Sequence, residues 1–161
     1  MKIFILRHAE AEDRAENDFG RRLTPRGWNQ VKAIADFCGA TGLLPSVVLS
    51  SPLVRARQTA EHFCDLVGLE TPIIEASLAS GAASAEAIAE VLKDYSQIER
   101  VMIVGHEPDL SAFLAWLLGA WSGASFRITK GSLSIVDCPA LRQGGGTLRL
   151  LVPPSMLKGE V

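Results

Sequence analysis

The sequence is poor in several features that mark common protein classes. Its three cysteines, Cys38, Cys64 and Cys138, match neither a zinc-ligand spacing nor a C-x-x-C redox pair. Cys38 and Cys64 fall on the apolar faces of predicted helices, where they read as small buried hydrophobes. Unpaired thiols suit a reducing compartment. No stretch approaches the ~20 apolar residues of a membrane span, and the apolar run at residues 3–6 is too short for the core of a signal peptide. A soluble, cytoplasmic protein without membrane contact is therefore expected. Charge of one sign is also lacking: a formal net charge of −2 leaves no global basic field to bind nucleic acid. Disorder is excluded from the other side, because 48% of residues are hydrophobic. That is enough for a core without disulfide or metal staples, and the length of 161 residues fits a single domain spanning residues 1–161.

Short apolar strands alternate with amphipathic helices. Strands are predicted at residues 2–6, 47–50 and 101–104, with a possible short one at Ile73-Ile74. Thr24-Pro25 opens a first helix as cap and first residue, and Gly42 stops it. Ser51-Pro52 repeats that start for a second helix, so Ser51 is expected to act as its cap. Ser84 caps a third helix, and Pro108-Asp109 leads into a fourth. Residues 132–137 and 147–152 alternate apolar and polar positions around Gly144-Gly145-Gly146, which suggests a hairpin at a sheet edge. The order implies an α/β fold: a three-layer α/β/α sandwich with a mostly parallel central sheet and an antiparallel edge.

In such sheets ligands bind beyond the carboxyl ends of the strands. Arg7-His8-Ala9-Glu10 follows the first predicted strand. Ser50-Ser51-Pro52 follows the second, with Arg55 about one helical turn on. Gly105-His106-Glu107 follows the strand at 101–104. Two of the three histidines and two arginines thus meet at one edge. The third, His62, lies within a helix beside Phe63 and reads as structural. Arginine forks match phosphoryl oxygens. A neutral imidazole can attack phosphorus, and Arg7 and Arg55 are expected to keep His8 neutral by repelling a proton. His106 would be a further phosphate donor, protonated or through one N–H. Flanking cations argue against a metal between the histidines, so no metal or cofactor is expected.

These segments resemble the histidine phosphatase, or phosphoglycerate mutase-like, superfamily. Arg7-His8-Ala9-Glu10 resembles its R-H-G-E signature, with Ala9 in place of glycine. Ser51-Pro52-Leu53-Val54-Arg55-Ala56-Arg57-Gln58-Thr59-Ala60 resembles its S-P-x-x-R-A-x-Q-T-A segment, and Val104-Gly105-His106-Glu107-Pro108 its second-histidine motif. Asp18-Phe19-Gly20-Arg21-Arg22-Leu23-Thr24-Pro25-Arg26-Gly27 is similar to the D-x-x-R-x-L-T-x-x-G loop of SixA-type phosphohistidine phosphatases. The resemblance implies His8 as nucleophile, Arg7, Arg55 and His106 around the phosphoryl group, and Arg21 as a further substrate-binding arginine.

Mutase-type members place a carboxylic acid after the third strand. Here that stretch, residues 75–82, resembles the acid-free stretch of SixA-type proteins; Glu75 and Glu86 are the remaining candidates for an acid. A phosphohistidine's imidazole leaves more easily than an alkoxide, so the expected substrate is phosphohistidine on a partner protein. A histidine phosphotransfer domain or a phosphocarrier fits, and the enzyme is expected to act as a monomer. A small-molecule phosphomonoesterase and a non-catalytic phosphate-binding module are the alternatives.

Overall fold

The computed structural model describes residues 1–14, 16–81, 83–121 and 126–157, so Ala82, the last residue of the stretch after the third strand, lies outside the described residues. The elements are β1 (Lys2–Arg7), α1 (Pro25–Thr41), β2 (Val47–Ser50), α2 (Val54–Val67), β3 (Ile73–Ile74), α3 (Ala85–Lys93), β4 (Arg100–Gly105), α4 (Asp109–Leu118), β5 (Leu133–Asp137) and β6 (Thr147–Val152). They build a sheet ordered β3-β2-β4-β1-β5-β6. The first four are mutually parallel, while β5 runs antiparallel to both β1 and β6. The α/β sandwich and its antiparallel edge are as expected from the sequence. Among the described residues no helix is long and apolar enough to cross a membrane.

Alternation along the strands supplies both faces of the sheet. Ile3 and Ile5 of β1 join Val101 and Ile103 of β4 under α3 and α4, against Ile88, Leu92, Phe113 and Leu117. Phe4 and Leu6 point the other way with Met102 and Val104, under α1 and α2, against Ile34, Cys38, Ala60 and Phe63. His62 sits at the α1–α2 junction, its ring edge-on to Trp28 at 4.9 Å.

Helix α1 begins as its sequence dictates. The Thr24 hydroxyl accepts from the Gly27 amide, Pro25 takes the first turn, and Gly42 closes the helix with φ of 69°. The start of α2 differs from expectation. Its cap is Leu53, with no side-chain bond, and the helix begins at Val54. Ser51 lies too early to cap it and its hydroxyl is engaged elsewhere.

Gly27 has a separate constraint. A Cβ there would lie 2.1 Å from the Glu10 carbonyl oxygen. The glycine lets the first turn of α1 lie directly on the loop that leaves β1. Gly27→Ala is expected to cost about 2 kcal/mol through overpacking. Gly39, in the same helix with open space around it, is the control: Gly39→Ala should stabilise by up to about 1 kcal/mol. Urea unfolding midpoints read both. Equal midpoints for the two variants would show that contact with Glu10 does not constrain position 27.

Candidate active site

Strand register brings the two histidines together. β1 and β4 are neighbours with Arg7 opposite Gly105, so the next residue of each chain segment, His8 and His106, leaves the sheet at the same level. The His8 amide donates to the Gly105 carbonyl at 3.0 Å, and the two rings lie 5.2 Å apart, centre to centre. β2 flanks β4 on the other side and ends at Ser50, from which the chain turns through Ser51 into α2. Arg55, on the first turn of α2, is buried with His8, His106 and Ser51. The expected grouping of Arg7, His8, Arg55 and His106 is therefore present in space.

The hydrogen bonds define the protons of His8. Its Nδ1 is 2.7 Å from the Ala9 carbonyl oxygen. A carbonyl only accepts, so Nδ1 carries the hydrogen and a neutral ring keeps its lone pair on Nε2. Burial pushes the His8 pKa down to about 3, and His106, Arg55 and Arg7 add to the shift. The cause expected from the sequence, repulsion by two arginines, is present but is smaller than desolvation. The loop behind His8 is pinned from α2: the Ala9 amide donates to the Thr59 hydroxyl at 3.1 Å, and that hydroxyl donates to the Arg55 carbonyl at 2.7 Å. No described residue other than glycine has positive φ, so Ala9 sits where the signature glycine would without strain.

The two arginines are oriented by their outer edges. Arg7 Nη1 donates to the Ile128 carbonyl at 2.8 Å. Arg55 Nη1 donates to the Asp18 carbonyl at 2.8 Å and Nη2 to the Asp18 carboxylate at 3.0 Å. The same carboxylate accepts from Arg21 Nη1 at 3.0 Å. Arg21 is thus joined to Arg55 through Asp18, a residue not singled out from the sequence, and its Nη1 and Nε face Asp18 and the Glu12 carbonyl rather than the histidines. Those two arginines hold the Asp18 carboxyl below its ordinary range, Arg21 most strongly. Arg7 Nε, Arg55 Nε and His106 Nδ1 are buried with no hydrogen-bond partner among the described residues. Buried donors are normally paired. These three donors belong to residues whose charges His8 senses, and together they form a cradle suited to an anion with several oxygens.

Ser51 has a partner that sequence reasoning missed, because strand register was needed to find it. Its hydroxyl lies 2.7 Å from His106 Nε2 and accepts from the Leu53 amide at 3.3 Å. The amide only donates, and among the described residues the hydroxyl proton has no other acceptor than Nε2, so it is directed there. This leaves the hydrogen of a neutral His106 on Nδ1, the orphaned position. Burial, with Arg55 and Arg7 adding to it, lowers the His106 pKa to about 4. Of the two forms open from the sequence, the neutral N–H donor is therefore the one favoured near neutral pH. Ser51→Ala is expected to lower kcat roughly 10- to 100-fold by releasing this tautomer, while Ser51→Thr, which keeps the hydroxyl, retains most of the rate. Equal rates for all three proteins would show that His106 needs no such help.

The candidate acids lie elsewhere. Glu75 accepts from the Tyr95 hydroxyl at 2.9 Å and lines a separate cleft with Ser77, Glu90 and Asp94. Glu86 is exposed on the first turn of α3. Glu10 accepts from the Thr24 hydroxyl at 2.9 Å and pairs with Arg26, and Asp109 accepts from the Gly81 amide at 3.1 Å. Arg57 is a surface charge, paired with Glu61 at 3.4 Å.

Comparison with known proteins gives the family and the fold. The family model for the histidine phosphatase superfamily (branch 1) matches residues 3–80. The phosphohistidine phosphatase SixA homolog of Haemophilus influenzae is 35% identical over 136 residues, 78% of this chain and 82% of its own. The phosphohistidine phosphatase SixA of Escherichia coli is 25% identical over 161 residues, 98% of this chain and 97% of its own. The solved structure of the protein histidine phosphatase SixA complexed with tungstate matches with a TM-score of 0.87 at 25% identity, covering 98% of this chain and 100% of that one. Fold and site define an enzyme of phosphoryl transfer, and the chain belongs to the histidine phosphatase superfamily. Within it the chain is a phosphatase of the SixA-like group.

Proposed function

We propose that the chain removes the phosphoryl group from phosphohistidine on a partner protein, through a covalent intermediate on His8 and without a metal. His8 Nε2 attacks phosphorus while the P–N bond to the substrate imidazole breaks, and that ring leaves with a proton from solvent. Water then attacks the phosphorus on His8, the P–Nε2 bond breaks, and inorganic phosphate departs. Arg7, Arg55 and His106 donate to the equatorial oxygens throughout, and Arg21 supports Arg55 from the rim through Asp18. The cradle consists of cations and N–H donors, which suits an anion and would repel a metal ion.

One observation carries the choice of leaving group. Among the described residues the carboxylate bonded to a cradle arginine is that of Asp18, which Arg21 and Arg55 hold ionised, while Glu107, whose charge Arg7 senses, is engaged by Ser111. Asp18 has no proton to give an alkoxide, which is a poor leaving group without one. Imidazole departs readily once its ring is protonated, so a site of this kind favours phosphoramidates. The names of the SixA relatives, which are phosphohistidine phosphatases, support the same substrate. Turnover of a phosphohistidine peptide should exceed that of glycerol or sugar phosphates at least ~100-fold in kcat/KM, and should persist in EDTA. High activity on sugar phosphates, abolished by Glu75→Gln, would instead identify a phosphomonoesterase with a conventional acid. Phosphate binding without turnover of any substrate would identify a binding module.

A further inference from the structure

We infer that the groove running from Arg7 past Arg127 and Lys130 is the docking site for an acidic segment of the partner protein, next to the phosphohistidine it presents. The inference rests on the proposed protein-borne substrate and adds the chemistry of the sequence around it. The groove is about 670 Å³ and open, with Arg7, Arg26, Arg127 and Lys130 set against Glu10 and Glu107 in its lining. Its charges are not equally engaged. Glu10 is bonded to Thr24 and Arg26. Glu107 accepts from the Ser111 amide at 3.2 Å and from the Ser111 hydroxyl at 2.5 Å. Both carboxylates are thus held within the protein, Arg26 is paired, and four cations against two carboxylates leave the lining net positive. No ion pair or hydrogen bond joins the Arg127 or Lys130 side chain to another of the described residues. The charge still available to a ligand is positive, in a chain whose overall formal charge is −2.

These two cations are held in place relative to the catalytic cradle. They flank Ile128, whose carbonyl accepts from Arg7 Nη1 at 2.8 Å. The Gly131 amide donates to the carbonyls of Arg7 and His8 at 3.2 and 3.1 Å. The Ser132 amide donates to the Thr129 carbonyl at 2.9 Å, and the hydroxyls of Thr129 and Ser132 are 2.8 Å apart. The segment that carries Arg127 and Lys130 is therefore stitched to the residues that would hold the phosphoryl group. A peptide whose phosphohistidine enters the cradle brings its flanking residues over this groove. Acidic side chains there would meet two unspent cations, and basic ones would be repelled.

The test uses fluorescence anisotropy on the full chain. The probes are labelled peptides bearing a stable phosphoryl-triazole analogue of phosphohistidine, flanked by acidic, neutral or basic residues. The intact protein should bind the acidic peptide about tenfold more tightly than the neutral one, the sum of two favourable exposed ion pairs, and the margin should shrink as salt rises. In the Arg127→Glu/Lys130→Glu variant the preference should vanish or invert, with affinity for the neutral peptide unchanged within twofold. Indifference of the intact protein to the flanks would overturn the inference, as would a preference that survives charge reversal. Equal loss of the acidic and neutral peptides would also overturn it, because the substitutions would then be acting on the cradle. Failure of the proposed substrate shows separately, as absent turnover of a genuine phosphohistidine peptide by the intact protein.

Discussion

Replacing His8 by alanine is expected to abolish the covalent phosphoenzyme and lower turnover at least about 1,000-fold, while inorganic phosphate still binds within a fewfold of its original affinity. The separation follows from the geometry. His8 supplies a lone pair at Nε2 and no hydrogen-bond donor to the cradle, since its Nδ1 hydrogen is committed to the Ala9 carbonyl. Arg7, Arg55 and His106 keep their free donors without it. In the intact protein, rapid quenching under neutral conditions should trap an acid-labile phosphoryl group on His8 in the presence of EDTA. Undiminished turnover by His8→Ala would rule out the covalent route.

The same histidine sets a pH dependence whose sign can be worked out. In the proposed mechanism attack needs the neutral ring, and the His8 pKa lies at about 3, against an ordinary value of 6.5. At pH 5 an unperturbed histidine would be only about 3% neutral, whereas His8 is still almost wholly so. With a substrate whose leaving group needs no proton, single-turnover phosphorylation of the enzyme should thus be nearly level from pH 8 to 5 and fail only as the pH approaches the pKa of His8. Stability moves the other way. Between 6.5 and about 3 the unfolded chain binds a proton at position 8 that the folded chain does not. The stability present above 6.5 is therefore lost as the pH falls, by roughly 2 kcal/mol at pH 5 for this one group. A loss of phosphorylation centred near pH 6.5 would show that His8 is far better solvated than its burial implies.

The parts of this arrangement that could be read from the sequence are those written locally. Thr24, Pro25 and Gly42 mark the ends of α1 within their own turns, and β1 shows as a short apolar run at residues 3–6. Arg7-His8 and Gly105-His106 could be placed at a common edge because each follows an apolar strand. What was not legible depends on register. Ser51 has the chemistry of a helix cap, and only the pairing of β2 beside β4 reveals that its hydroxyl meets His106. Asp18 lies in a loop of mixed charge, and nothing in its neighbours along the chain says that its carbonyl and carboxylate orient Arg55, 37 positions away. The larger cause of the His8 shift, burial, was hidden for the same reason: the arginines that add to it are visible in a sequence, but the depth at which strand β1 leaves its last residues is not.

Arg55→Ala is the second large effect expected, a loss of about 100- to 1,000-fold in kcat on any phosphorylated substrate. Two consequences combine in it. The cradle loses the buried Nε donor, and Asp18 loses one of the two cations that neutralise it beside His106, which already senses its charge. Lysine is a poor replacement, because a single ammonium cannot grip the Asp18 carbonyl and carboxylate with one edge while presenting another to phosphate. Arg55→Lys should therefore recover less than tenfold of the loss. A double-mutant cycle with Asp18→Asn isolates the coupling. If Asp18 serves to aim Arg55, Asp18→Asn should slow the intact enzyme but leave Arg55→Ala unchanged or slightly faster, since repulsion is all the carboxylate then contributes. Strictly additive losses would mean that Asp18 acts on the substrate directly, and the leaving imidazole, which departs carrying a proton, is the group a carboxylate at that rim could meet.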